Sequence, residues 1–170
     1  EVYSKVEKLS KSANLSESVY NQAVKLGEAG KIQESLNLLN QIKGNYAKAK
    51  TLYDSMNSFH KKVSLWLGTW KHRGTVNGEK TTYYITFSEV LYKGEPCIKI
   101  KDMNNKALGY DIEISSKNHI TQIEVGKYMI HFKLKNNHNQ KLTYTLLEGK
   151  KMLRELKYEG VTYKTKYKKK

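Results

Sequence analysis

Apolar residues in the first 65 positions recur every three or four places, and beyond Gly68 they alternate with polar ones. That change of period predicts helices followed by strands. Val2, Val6, Leu9 and Ala13 share one helical face, and Asn14-Leu15-Ser16 is expected to interrupt it. Ser16 then caps a second helix, Glu17 to about Ala29, with Val19, Ala23 and Leu26 together. Gly30 ends that helix, and another carries Ile32, Leu36, Leu39 and Ile42 inward, with Gly44 just past its end. A long, mostly exposed helix over Asn45–Leu65 aligns Tyr46, Ala49, Tyr53, Met56 and Val63.

The strands follow as short alternating runs separated by turns rich in Gly and Asn. Gly68–Val76 leads into Asn77-Gly78, a strong hairpin signal. Thr81–Val90 sets Tyr83, Ile85 and Phe87 on one face, and Cys97–Met103 does the same with Ile98 and Ile100. Leu108, Tyr110, Ile112 and Ile114 form the clearest stripe of period two. His119–Val125 comes next, then Tyr128, Ile130, Phe132 and Leu134 on one face, then Leu142, Tyr144 and Leu146. Met152–Tyr158, a turn at Glu159-Gly160 and Val161–Lys168 complete the series. The expected class is α+β: antiparallel helices over residues 1–65, then an antiparallel meander of eight or nine strands over residues 66–170. Short connections and the cost of bare edges favour closure into a barrel, with a two-sheet sandwich as the alternative.

Two resemblances add to this reading. Ala23, the turn Gly30-Lys31-Ile32, and Ser35, Leu39 and Ile42 fall at the packing positions of a tetratricopeptide-type hairpin, over about residues 16–43. A solenoid needs about three such units, so a single helical hairpin with repeat-like packing is implied. Gly68-Thr69-Trp70 at the head of the meander resembles the lipocalin and fatty-acid-binding superfamily, closest to its small bacterial lipocalin-like domains. The resemblance implies that Gly68 admits the chain tightly to the barrel, that Trp70 plugs its closed end, and that Arg154 packs across the tryptophan.

An eight-strand barrel has room inside for side chains or for one small apolar ligand. The inward candidates are Tyr83, Ile85, Phe87, Tyr110, Ile112, Tyr128, Ile130, Phe132 and Tyr144. They either line a pocket or pack a core whose hydroxyls reach the rim.

Charge changes the picture in one respect. The chain carries +15 overall. Residues 66–170 hold 21 Lys/Arg against 10 Asp/Glu, or +11, whereas residues 1–65 hold 10 against 6, or +4. A surplus of that size concentrates any polyanion, whether nucleic acid, anionic lipid or envelope polymer. At the C-terminal end Lys164, Lys166 and Lys168 alternate with Tyr163, Thr165 and Tyr167, and Lys169-Lys170 follow. Such a row can track a polyanion backbone; a lysine-guarded edge strand is the plainer account.

Candidate chemistry is sparse. The single cysteine, Cys97, makes no intrachain disulfide, and the five histidines stand in no metal-ligand spacing. His72 alone falls on a predicted inner face. No phosphate loop or nucleophile elbow is present. No catalytic residue, metal or cofactor is expected, and no apolar run is long enough to span a bilayer. The expected role is a non-enzymatic binding or interaction module, with a small apolar ligand in the barrel and a protein partner on the helices. Polyanion binding through the basic half is the alternative. A chain starting at Glu1 fits a removed leader, so export to the cell surface, as a secreted or lipid-anchored protein, is the expected localisation.

Overall fold

The computed structural model describes residues 2–102, 120–134 and 141–170. Three helices come first: α1 Val2–Glu28, α2 Ile32–Ile42 and α3 Ala47–Val63. The strands are β1 Gly68–Val76, β2 Glu79–Tyr92, β3 Glu95–Asp102, β4 Ile120–Val125, β5 Met129–Leu134, β6 Lys141–Leu147, β7 Lys151–Tyr158 and β8 Val161–Lys169. The expected strand over Leu108–Ile114 and the polar loop over 136–140 lie outside the described residues.

The expected break at Asn14-Leu15-Ser16 is absent, and α1 runs through it. Asn and Ser cost a helix interior only a fraction of a kcal/mol each, about 0.7 at most, and neither Gly nor Pro is there to stop it. Termination comes instead at Gly30, whose φ of 78° is left-handed. Lys31 N–H donates to Leu26 O at 2.9 Å and Gly30 N–H to Gly27 O at 3.0 Å. This pair of bonds satisfies the last carbonyls of α1 and turns the chain into α2.

The chain divides into two compact units, Glu1–Lys61 with Glu89–Cys97, and Lys62–Ser88 with Ile98–Lys170. In the helical unit the core is Ala23, Ile32, Leu36, Leu39, Ala49, Leu52, Met56 and Leu91. Leu91 comes from the far end of β2, so the β2–β3 hairpin supplies part of a core that periodicity assigns to helices alone. Ser35 is buried, and its hydroxyl donates to Ala23 O at 2.7 Å. The third helix is mostly exposed, as its pattern suggests, and buries one face through Ala49, Leu52, Met56 and Val63.

In the β unit the strands form one curled antiparallel sheet, in the order β3-β2-β1-β8-β7-β6-β5-β4. All neighbouring strands are consecutive in the chain except one pair: β1 pairs with β8, Trp70 opposite Lys169 and Lys71 opposite Lys168. The first and last strands thus meet at the start of β1 and the end of β8, and the ends of the sheet fall at β3 and β4, the strands that flank residues 103–119. Among the described residues the strands belong to one sheet. Asn77-Gly78 and Glu159-Gly160 both take positive φ, the conformation that two-residue hairpins between twisted strands require.

The inner face of this sheet carries Trp66, Trp70, Ile85, Phe87, Ile98, Ile100, Ile130, Leu142, Tyr144 and Met152, all buried. Trp66 rests 5.5 Å from Phe87, ring centre to ring centre, and Phe87 meets Tyr144 edge to face at 5.3 Å. Each indole finds an acceptor: Trp66 Nε1–H donates to Gly126 O at 3.1 Å, and Trp70 Nε1–H to Trp66 O at 2.9 Å. Burying such rings stabilises only when their N–H groups are satisfied, and here both are.

Candidate ligand-binding cleft

Trp70 separates two environments. On one side is the inner face of the sheet, with its buried Trp66, Phe87 and Tyr144. On the other is an open cleft of about 370 Å³, lined by Leu65, Trp70, Tyr128, Leu146, Leu147, Glu148, Lys150 and Lys169. The local sequence explains its position. Antiparallel pairing brings the start of β1, the end of β8, the start of β7, the end of β6 and the start of β5 to one rim, as the register Trp70–Lys169, Lys168–Lys151 and Lys151–Leu147 requires. Gly68 sits at this rim with φ of 109°, a conformation strained for any side chain, and a Cβ there would stand 3.6 Å from Lys169 Cε.

The floor of the cleft is apolar and its border basic. Lys169 Nζ donates to Leu65 O at 3.0 Å and lies 5.4 Å from the centre of the Trp70 ring. Burial, and then the neighbouring charge of Lys150, push the Lys169 ammonium below its ordinary pKa. Two cations share one end of an apolar hollow, so an anion placed there would relieve their mutual repulsion. Lys127 stands over the Tyr128 ring at 5.2 Å.

Several expected site residues lie elsewhere than the cleft. Ile85, Phe87, Ile130 and Tyr144 are buried in the packed inner face, and Tyr83 is half-buried, stacked on His72 at 5.9 Å. Tyr128 is a correction: expected to point inward on a strand, it is 57% exposed. The strand begins one residue later, at Met129, and Tyr128 sits in the bend before it, with its carbonyl accepting from Leu146 N–H at 2.9 Å. Tyr110 and Ile112 lie outside the described residues, as does the side chain of Phe132, whose backbone belongs to β5. Arg154 is buried on β7, between Tyr144 and Thr165 of the adjacent strands.

Lys164, Lys166, Lys168 and Lys170 are exposed and Lys169 half-buried. In the strand order β8 lies between β1 and β7, and it pairs with β1 at Lys168 and Lys169. Alternation puts Lys164, Lys166 and Lys168 on the outer face, where Lys168 has Lys71 on one side and Lys151 on the other. Lys164 meets Glu155 at 3.0 Å.

Sequence reasoning missed Trp66, which periodicity leaves at the end of a helix and which the structure buries completely. Its only signal was its spacing four residues before Trp70, the same separation that the indole-to-carbonyl bond spans. The helical unit holds one further polar feature, a buried Glu89 whose Oε2 lies 2.7 Å from His60 Nδ1. Glu89 Oε1 has no hydrogen-bond partner among the described residues. Burial pushes this carboxyl above its ordinary pKa, and the His60 contact pulls it back part of the way. Burial and Glu95 push the Cys97 thiol up, which holds it in the unreactive protonated form. Among the described residues no three His, Cys, Asp or Glu side chains gather as a metal site would need, and no helix is long and apolar enough to cross a membrane. No protein-family model, no curated protein and no solved structure matches this chain.

Proposed function

We propose that this protein is a non-enzymatic binding module acting outside the cytoplasm, whose β unit holds a small apolar ligand and whose helices dock a protein partner. One observation carries the reading: the apolar cleft against Trp70, large enough for a small molecule and bordered by Lys150 and Lys169. A lipocalin-like ancestry agrees with a meander whose first and last strands pair, but the ligand is placed at the rim outside Trp70. On the inner face Trp66, Phe87 and Tyr144 are buried against one another. Titration with Nile red, a neutral dye that brightens in apolar surroundings, tests it. Saturable binding that Leu65→Glu or Leu147→Glu abolishes is expected; no saturable signal, or one that both variants leave unchanged, overturns it.

A second reading, binding of an anionic polymer, is favoured by the outer-face row of Lys71, Lys168 and Lys151 on three adjacent strands. Like charges set directly opposite one another cost stability, which a polyanion would recover. Affinity for a polyanion that fails to fall with added salt would exclude it.

A further inference from the structure

The rim that holds the cleft also exposes large apolar side chains. Leu65 is 46% exposed, Tyr128 57%, Met129 52% and Leu147 39%. These four account for half of the large apolar residues that the described chain leaves in water, and all stand at the same ends of β1, β5 and β6. Single exposed apolar residues are ordinary; four on one rim mark an interaction surface.

Charge at this rim is one-sided. Among the described side chains, Lys127, Lys150, Lys151, Lys168, Lys169 and Lys170 stand at this rim, against one carboxylate, Glu148. The opposite end of the sheet differs: Glu79 and Lys80 open β2, Lys141 opens β6, and Lys157 near the end of β7 is followed by Glu159, so the signs there are mixed. A free polyanion would be drawn to the lysines but would gain nothing from Leu65, Met129 and Leu147. A bilayer surface satisfies both, since apolar side chains enter the headgroup region while lysines meet anionic lipid. Tyr128, with Lys127 over its ring, suits that boundary, where aromatic residues with one polar tip settle.

We propose that this rim is a docking surface for a lipid bilayer carrying anionic headgroups, a partner distinct from the small ligand of the cleft. The test is co-sedimentation of the full chain with vesicles of equal parts phosphatidylcholine and phosphatidylglycerol, beside vesicles of phosphatidylcholine alone. Binding to the mixed vesicles and little to the neutral ones is expected, weakening about fivefold for each of Lys150→Gln and Lys151→Gln. Leu65→Ser with Leu147→Ser should weaken it further without changing its dependence on salt, and Lys157→Gln at the opposite ends should leave it unchanged. All these positions are exposed, and thermal unfolding of each variant matching the parent chain shows that the fold persists.

Three results overturn the proposal: no binding to either vesicle, binding that the apolar variants leave untouched, or rim-dependent binding to a single-stranded oligonucleotide in place of vesicles. A chain that takes up Nile red but ignores vesicles removes this inference and leaves the small-ligand reading standing.

Discussion

Buried positions in the helical unit are small where the elements come closest: Ala23, Gly27, Ser35 and Ala49. On the inner face of the sheet they are large, led by Trp66, Trp70, Tyr144 and Phe87. Helices approach through small residues, whereas a curled sheet holds its strands about 5 Å apart and leaves an interior for big side chains to fill. One core should therefore be hurt by added volume and the other by lost volume. Each also buries a charged side chain, Glu89 among the helical unit and Arg154 on the sheet.

The largest expected effect is on the aromatic core. Trp66→Ala removes a fully buried indole, its contact with Phe87 and its bond to Gly126, and should cost about 3–5 kcal/mol in urea unfolding. A loss below about 1 kcal/mol, the scale of an ordinary surface change, would mean the β unit does not depend on that ring.

Gly27→Ala tests the helical unit in the opposite sense. A Cβ at Gly27 would collide with Leu91 Cδ1 and lie 2.7 Å from its Cγ. Overpacking costs about 1–3 kcal/mol, whereas the gain in helix propensity is about 1 kcal/mol, so a net loss of stability is expected. Stabilisation instead would show that Leu91 moves aside freely.

Smaller still is the effect of Glu89, and it depends on pH. Its folded-state pKa is raised, first by burial and against the opposing pull of His60, so the folded chain keeps this proton to higher pH than the unfolded chain does. Its contribution to stability is greatest below the ordinary glutamate pKa, about 4.3, declines as pH rises from there through the raised value, and is level above it. Glu89→Gln should remove that decline and melt at or above the parent temperature at neutral pH. A lower melting temperature there would show that the His60 contact outweighs desolvation.

The smallest change is expected at the rim. Leu147→Ser lies outside both cores and should shift stability by no more than about 0.5 kcal/mol in thermal unfolding, because exposed apolar side chains gain little on folding. A larger loss would place Leu147 in the core and blur the line that Trp70 draws.

Much of this was legible in the residues. The helix-to-strand change at Gly68, the hairpin turns at Asn77-Gly78 and Glu159-Gly160, and the inward placement of Ile85, Phe87, Ile130 and Tyr144 all follow from local period and turn chemistry. Where the residues misled, a neighbour distant in sequence decided the outcome. Leu91 enters the helical core from a hairpin tip that no helical period announces. Tyr128 shares the parity of Ile130 but precedes the strand that would have given parity a meaning.

By itself the sequence determined that helices precede Gly68 and strands follow it, the sign and unevenness of the charge, and the alternation that puts Lys164, Lys166 and Lys168 on one face. These depend on bonds and side chains within a few residues of each other. Only the tertiary structure decided that β8 lies inside the sheet beside β1, and that residues from five segments of the chain meet outside Trp70 as an apolar cleft ringed by lysine. Pairing between the first and last strands spans about a hundred residues, and no local preference of the chain records it.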